Sequence, residues 1–263
     1  MTTDLQLETI AKAKNLPIEL VRKITKQAQI GVTPLTRFIS VKEGNISKTL
    51  KVTRKGVGTI TTPFGDFWFV TFSIDDNWVQ YNAIIKCDMD EDLNPIFQQK
   101  EILVRTDSGC ETGQVFHDRT CDCREQLHQA MKDISNKGEG LIVNIPKQDG
   151  RGMGLAFKLS TLLLQDKLGM DTVESASFLA KGNQIDTRTY SGVIAVLKFF
   201  GIPDNSEFSL VTNNPKKASI FAENNFLLSG LKPVVIKPNV YTEKHLKAKQ
   251  EHLGHVNLID SSL

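Results

Sequence analysis

The chain has 263 residues, of which 40% are hydrophobic and 24% charged, with a net charge of +2. These are the proportions of an ordinary globular protein, which excludes disordered and fibrous classes, and the length suits one large domain or one domain with an appended segment. No apolar run approaches the roughly 20 residues that a bilayer crossing needs, and the start Met1-Thr-Thr-Asp-Leu-Gln-Leu-Glu lacks the basic-then-apolar order of a secretion signal, so a cytoplasmic location and no membrane partner are expected.

Residues 1–55 carry eleven Lys and Arg against four Asp and Glu, a balance of +7 that leaves −5 for the remainder. Residues 4–14 and 18–29 have helical spacing, with Leu7, Ile10 and Ala11 on one face and Leu20, Val21 and Ile24 on another; Asn15 and Pro17 supply the break between them. A small helical hairpin is expected there. Its charges are spread over two helices and a loop without interleaved aromatics, which reads as a solvated face rather than a nucleic-acid surface. From Lys51 the texture changes to short β-rich runs at 59–62, 67–72, 78–85 and 102–106, separated by Gly, Pro, Asn and Asp. Beyond residue 121 helices and strands alternate: helix 123–135, strand 140–145, helix 153–168, helix 189–200, strand 208–212, helix 216–225, strand 233–237 and helix 243–253. An antiparallel-leaning first half followed by β/α alternation predicts an α/β fold, a mixed β-sheet flanked by helices. The expected division is a basic helical extension over 1–57 and a main domain over 58–263.

Three of the four cysteines, Cys110, Cys121 and Cys123, stand close together in the chain. In a reducing compartment clustered cysteines read as metal ligands or catalytic groups rather than disulfides. Three thiolates form an incomplete tetrahedral cage for Zn²⁺, and an ion with three protein ligands keeps a position for water, as catalytic sites do. Gly109 and Gly113 allow the sharp turn that convergence requires. Spacing alone leaves open the alternative of three packed thiols. Cys87, in the apolar stretch Asn82-Ala-Ile-Ile-Lys-Cys, reads as a buried small hydrophobe.

The order Val104-Arg-Thr-Asp-Ser-Gly-Cys-Glu-Thr-Gly, followed by Cys121-Asp-Cys-Arg-Glu-Gln-Leu, resembles the zinc motif of GTP cyclohydrolase II, which opens the guanine ring at the entry to riboflavin synthesis. The resemblance continues through Gln148-Asp-Gly-Arg-Gly-Met-Gly-Leu, Leu164-Gln-Asp, Asp171-Thr-Val-Glu, Asp186-Thr-Arg-Thr-Tyr and Leu210-Val-Thr-Asn-Asn-Pro-Lys-Lys to Leu253-Gly-His. Upstream, Thr62-Pro-Phe-Gly-Asp-Phe looks like the family's opening strand, so that residues 58–257 match in order. The resemblance implies one Zn²⁺ per chain on Cys110, Cys121 and Cys123, activating a water for attack on C8 of GTP, with formate and pyrophosphate released. It implies nucleotide contacts from Arg105, Thr106, Asp107, Ser108, Gly109, Gln126, Asp149, Gly150, Arg151, Thr172, Thr212 and Lys217. It also implies a catalytic pair, Asp186 and Arg188, acting at the α-phosphate. A guanidinium is effectively never deprotonated in proteins, so a role for Arg188 in stabilising charge is equally compatible with its position. Mg²⁺ is expected with the triphosphate, and a homodimer is expected as in the family.

The sequence departs from the family's pattern at four places. Asp107 and Gly109 replace the His and Glu that flank the Ser before the first cysteine, Asp149 replaces the Glu of the Glu-Gly-Arg loop, and Leu162 stands where the family has a catalytic Tyr. A leucine cannot donate a hydrogen bond, so Ser160, Thr161 or Tyr190 must substitute or the phenol's contribution is absent. Two rivals follow: a paralogue that stops at the formylated, ring-opened nucleotide or takes another purine nucleotide, and a nucleotide-binding regulatory protein without catalysis.

Overall fold

The computed structural model describes residues 3–145, 147–180, 184–202 and 206–255. Residues 256–263, the end of the expected main domain, lie outside them. Helices α1 (Asp4–Lys14) and α2 (Ile18–Val32) form the expected hairpin. Thr3 and Gln6 make a reciprocal capping box at the start of α1, and Asn15, in the left-handed region, ends it. Leu7, Ala11 and Val21 pack together, whereas Ile10, Leu20 and Ile24 are exposed.

Residues 35–57 are not helical. Strands β1 (Leu35–Glu43) and β2 (Ile46–Thr62) form an antiparallel hairpin, and the division expected between residues 57 and 58 falls inside β2. The alternation in β1 was masked because most of its side chains are solvated. Only Val41 is buried in it, and polar pairs such as Thr36–Thr53 and Ser40–Thr49 line the hairpin. The sheet continues through β3 (Gly65–Ile74) and β4 (Gln80–Lys86); β5 (Asp88–Met89) and β6 (Pro95–Ile96) make a separate short pair. There follow β7 (Glu101–Asp107), the short α3 (Glu111–Gln114), α4 (Cys123–Lys137) and β8 (Gly140–Asn144). A tight turn over Asp149–Gly152 leads to α5 (Leu155–Leu168), α6 (Thr172–Ala180) and α7 (Ser191–Phe199). The chain continues with β9 (Glu207–Val211), α8 (Lys216–Glu223), β10 (Leu227–Lys232) and α9 (Glu243–Leu253).

Eight strands form one mixed sheet in the order β1-β2-β3-β4-β8-β7-β9-β10. Pairing is antiparallel from β1 to β8 and parallel among β8, β7, β9 and β10. Strand alternation divides the core. Ile102, Val104, Leu141 and Val143 face α7 and α8, while Leu103 and Ile142 face Ala130, Met131 and Ile134 of α4. Helix α7 is buried all round except at Lys198, which reaches the Ser40 carbonyl.

Two other expectations change. The strand expected at 233–237 is displaced to β10, because Pro233 has no N–H for a ladder, and the apolar Val234 is instead buried against the second core layer. Helix α6 was not anticipated; Asp171 initiates it by accepting from the Val173 and Glu174 amides, and Glu174 accepts from the Asp171 amide in return.

The first hairpin is tied to the helical layer: Glu43 accepts from the Tyr190 amide, and Asn224 bridges to the backbone of Lys42. Deleting residues 1–50 removes the buried Val41 and Leu50 side chains, each contributing about 1.5–3 kcal/mol. A fall in melting temperature of about 6–24 °C is expected on the scale of roughly 2–4 °C per kcal/mol for a protein of this size. An unchanged melting temperature and oligomeric state would show that the segment is not docked.

Candidate metal centre

Strand β7 ends at Asp107, and the chain turns at Ser108 and Gly109 to bring Cys110 over the end of the sheet. Gly109 has φ +55°, and a Cβ there would lie 2.5 Å from the Ile145 carbonyl oxygen, so the turn requires glycine. Cys121 precedes α4 and Cys123 begins it. The three sulfurs lie within 4.8 Å of one another, with Cys110 and Cys121 Sγ 3.8 Å apart. Gly113 makes room for them, because a Cβ there would meet Cys121 Sγ at 2.7 Å and Cys110 Sγ at 3.1 Å.

The donor set fits zinc. Two sulfurs each about 2.3 Å from a tetrahedral centre stand about 3.8 Å apart, the separation found here. The surrounding charges favour a thiolate: hydrogen bonds from Cys121 and Cys123, then Lys158, hold the Cys110 thiol far below its ordinary value. Cys121 is pushed up to about 11, first by its hydrogen bond with Cys110. Lys158 Nζ lies 2.8 Å from Cys110 Sγ and 3.6 Å from Asp149 Oδ1. On the other side Lys249 of α9 lies 3.4 Å from Asp122, the buried residue between the two later cysteines.

Two adjoining cavities meet at Ser108, Cys110, Cys123, Arg151, Arg188 and Lys249. The first lies over the thiols and is walled by Phe157, Thr161, Leu162 and Gln165 of α5, with Asp149, Gly150 and Thr172. Leu162 thus lines the cavity over the thiols. Thr161 shares this wall, although its hydroxyl donates to the Lys158 carbonyl, and Ser160 is exposed and bonded to Ala156. Arg151, at φ +60°, donates to the Thr172 carbonyl and hydroxyl, and its Nη1 is buried without a hydrogen-bond partner among the described residues.

The second cavity is cationic. Arg105, Arg151, Arg188, Lys217 and Lys249 line it, with Asp107 as the single carboxylate among its described lining residues. Arg105 donates to Asp107 Oδ1 and to Gln126 Oε1, and Gln126 donates to Asp122. Asp107 also accepts from the Gly109 amide, Gln114 and Asn144, so it organises the turn as much as it lines the wall. Burial, then Arg105 and Arg188, lower the Lys217 ammonium to about 7; it donates to the Thr106 carbonyl. Thr106 and Gly109 support this wall from behind and line neither cavity, while Thr212 lines the second and accepts from the Asn214 amide. His255 is also there, its imidazole pushed down to about 3 by burial and then by Lys249, Arg188 and Lys217.

Asp186 and Arg188 form a two-pronged pair, with Arg188 Nε 2.9 Å from Oδ1 and Nη2 2.6 Å from Oδ2. Burial opposes the Asp186 charge, but the hydrogen bonds from Arg188 outweigh it and hold the carboxyl below its ordinary value. The reverse holds for Arg188, which is raised by Asp186 despite burial. Lys158 and Lys249 were not singled out from sequence, whereas Gly113 stands where the turn requires it. Lys158 was readable as the residue one turn before Leu162, but nothing local marks Lys249 as approaching Asp122, 127 positions earlier.

A model of the family described as GTP cyclohydrolase II matches residues 53–226. The chain belongs to the GTP cyclohydrolase II family. Among its relatives, the "Riboflavin biosynthesis protein RibBA" of Phocaeicola vulgatus is 35% identical over 79% of this chain and 48% of its own length. The "GTP cyclohydrolase-2" of Picrophilus torridus is 33% identical over 73% of this chain and 93% of its own, and that of Campylobacter hominis 34% identical over 76% and 93%. The chain therefore spans about half the length of the RibBA relative and nearly all of the two single-named family members. The family match begins inside β2 and includes the cysteines and Arg188, whereas Lys249 and His255 lie beyond it.

Proposed function

We propose that the protein is a zinc-dependent hydrolase that opens the imidazole ring of GTP at C8 and releases formate and pyrophosphate, leaving a diaminopyrimidine ribosyl phosphate for riboflavin synthesis. The observation that carries this reading is the junction of a three-thiol cluster with a five-cation chamber, joined by Arg188. Cys110, Cys121 and Cys123 hold the ion, which when bound supplies Lewis acidity and acidifies a water toward neutral pH. The partly apolar wall of Phe157 and Leu162 suits the base, and the cations suit a polyphosphate carrying Mg²⁺. Lys217 gains its full charge when an anion enters, since its lowered value arises from burial and neighbouring cations. The two-pronged bond with Asp186 keeps Arg188 protonated and aimed, so it stabilises charge at the α-phosphate rather than losing a proton. Gln126 orients Arg105 through its amide oxygen. A homodimer in the cytoplasm completes this reading. The test is incubation of zinc-loaded protein with GTP and Mg²⁺, with formate, pyrophosphate and nucleotides resolved by mass spectrometry; GTP returned intact would overturn it.

The position of Leu162 on the cavity wall favours a second reading of the product. A formamide is a poor electrophile, and losing a well-placed donor costs about 2.7–4 kcal/mol, or 10²–10³ in rate. Formate release is therefore expected to lag behind ring opening, with Leu162→Tyr narrowing the gap. Stoichiometric formate from the first turnovers of the unaltered protein would show that this position does not decide the product.

A further inference from the structure

Helix α5 presents Lys158 and Leu162, one turn apart, to the cavity over the thiols. The Lys158 ammonium lies nearer to Cys110 Sγ, at 2.8 Å, than to the Asp149 carboxylate, at 3.6 Å. Asp149 itself accepts from the Glu111 amide, next to Cys110, so the ammonium lies between the sulfur of one turn and the carboxylate of another that is hydrogen-bonded to it. Lys249, the other lysine of the cluster, is directed at Asp122 instead. Among the described residues Lys158 is thus the cation that hydrogen-bonds a thiol of the cluster.

Three thiolates on a dication leave a net charge of −1, and electron-rich sulfurs weaken the pull of the ion on whatever occupies its remaining position. A charge-assisted hydrogen bond to one sulfur withdraws density from it and fixes its orientation. We propose that Lys158 is a positioning residue of the metal centre: its ammonium holds Cys110 and offsets the thiolate charge, so that a three-cysteine site remains electrophilic. The inference rests on the zinc reading above. It assigns to α5 a role that Leu162 cannot fill, because Lys158 acts on the ion's ligand and the family's Tyr position faces the cavity.

The experiment replaces zinc by cobalt(II) in the full chain and records the thiolate-to-cobalt charge-transfer band for the unaltered protein, Lys158→Met and Lys158→Arg. Withdrawing the ammonium raises the energy of the sulfur electrons, so the band is expected at longer wavelength in Lys158→Met and near its original place in Lys158→Arg, with one metal per chain in all three. In the zinc proteins kcat for ring opening should fall about 10- to 100-fold in Lys158→Met, while KM for GTP stays unchanged. Lys158→Gln, with the same shift expected, serves if the Met variant does not fold. An unmoved band overturns the proposal, and an unmoved band with raised KM assigns Lys158 to nucleotide binding. Both outcomes leave the zinc reading standing. A wild-type chain that takes up neither cobalt nor zinc overturns both.

Discussion

Replacing Cys121 and Cys123 together by serine is expected to abolish zinc binding and ring opening while leaving a folded chain. Removing two of the three protein ligands leaves a single thiolate, and one protein ligand does not hold the ion through purification. Serine nearly matches cysteine in volume, and the two positions, Cys121 buried and Cys123 half-buried, line a cavity and are not among the residues packed against the sheet. Elemental analysis should therefore find almost no zinc, and mass spectrometry no formate, with far-ultraviolet circular dichroism unchanged. Zinc retained at one ion per chain would remove these residues from the metal centre.

Arg188→Ala is expected to reduce pyrophosphate release by about 10²–10³, the loss that follows from removing one well-placed charge-stabilising donor. Arg188 borders both cavities, and its two bonds to Asp186 fix the plane of the guanidinium. Arg188→Lys should recover little of the activity, since an ammonium cannot reproduce the planar fork. Zinc content should stay at the unaltered level in both variants, because Arg188 contributes no ligand atom to the thiol cluster. Normal turnover in Arg188→Ala would exclude this pair from the mechanism.

The three-thiol cluster was legible because Cys110, Cys121, Cys123, Gly109 and Gly113 lie within fourteen residues of one another, and a short loop constrains where they can go. The proposed nucleotide contacts could be named only through their shared order with a family, since an isolated Arg105 or Thr212 has no local signature. Lys158 and Lys249 escaped because their relevance arises from tertiary convergence. β1 escaped for a different reason: a strand whose side chains mostly face water lacks the apolar alternation from which strands are read. At 233–237 the opposite error arose, as Val234 is apolar because it is buried, not because it is paired.

The docking of the first hairpin onto Tyr190 and Asn224 joins residues separated by 147 and 182 positions. Its partners are therefore synthesised long after it emerges. β1 through β4 form a meander whose contacts are local, whereas β7, β8, β9 and β10 pair in parallel and require crossovers. Loop closure must precede the reward of such distant contacts. The meander can assemble on its own timescale, but its outer edge waits for α7 and α8, and the loop bearing Arg188 acquires its Glu43 support only then. Order of assembly thus runs from the N-terminal meander to the loop bearing Arg188, and a nascent chain ending before residue 190 exposes the β1 hairpin without the helices that later cover it.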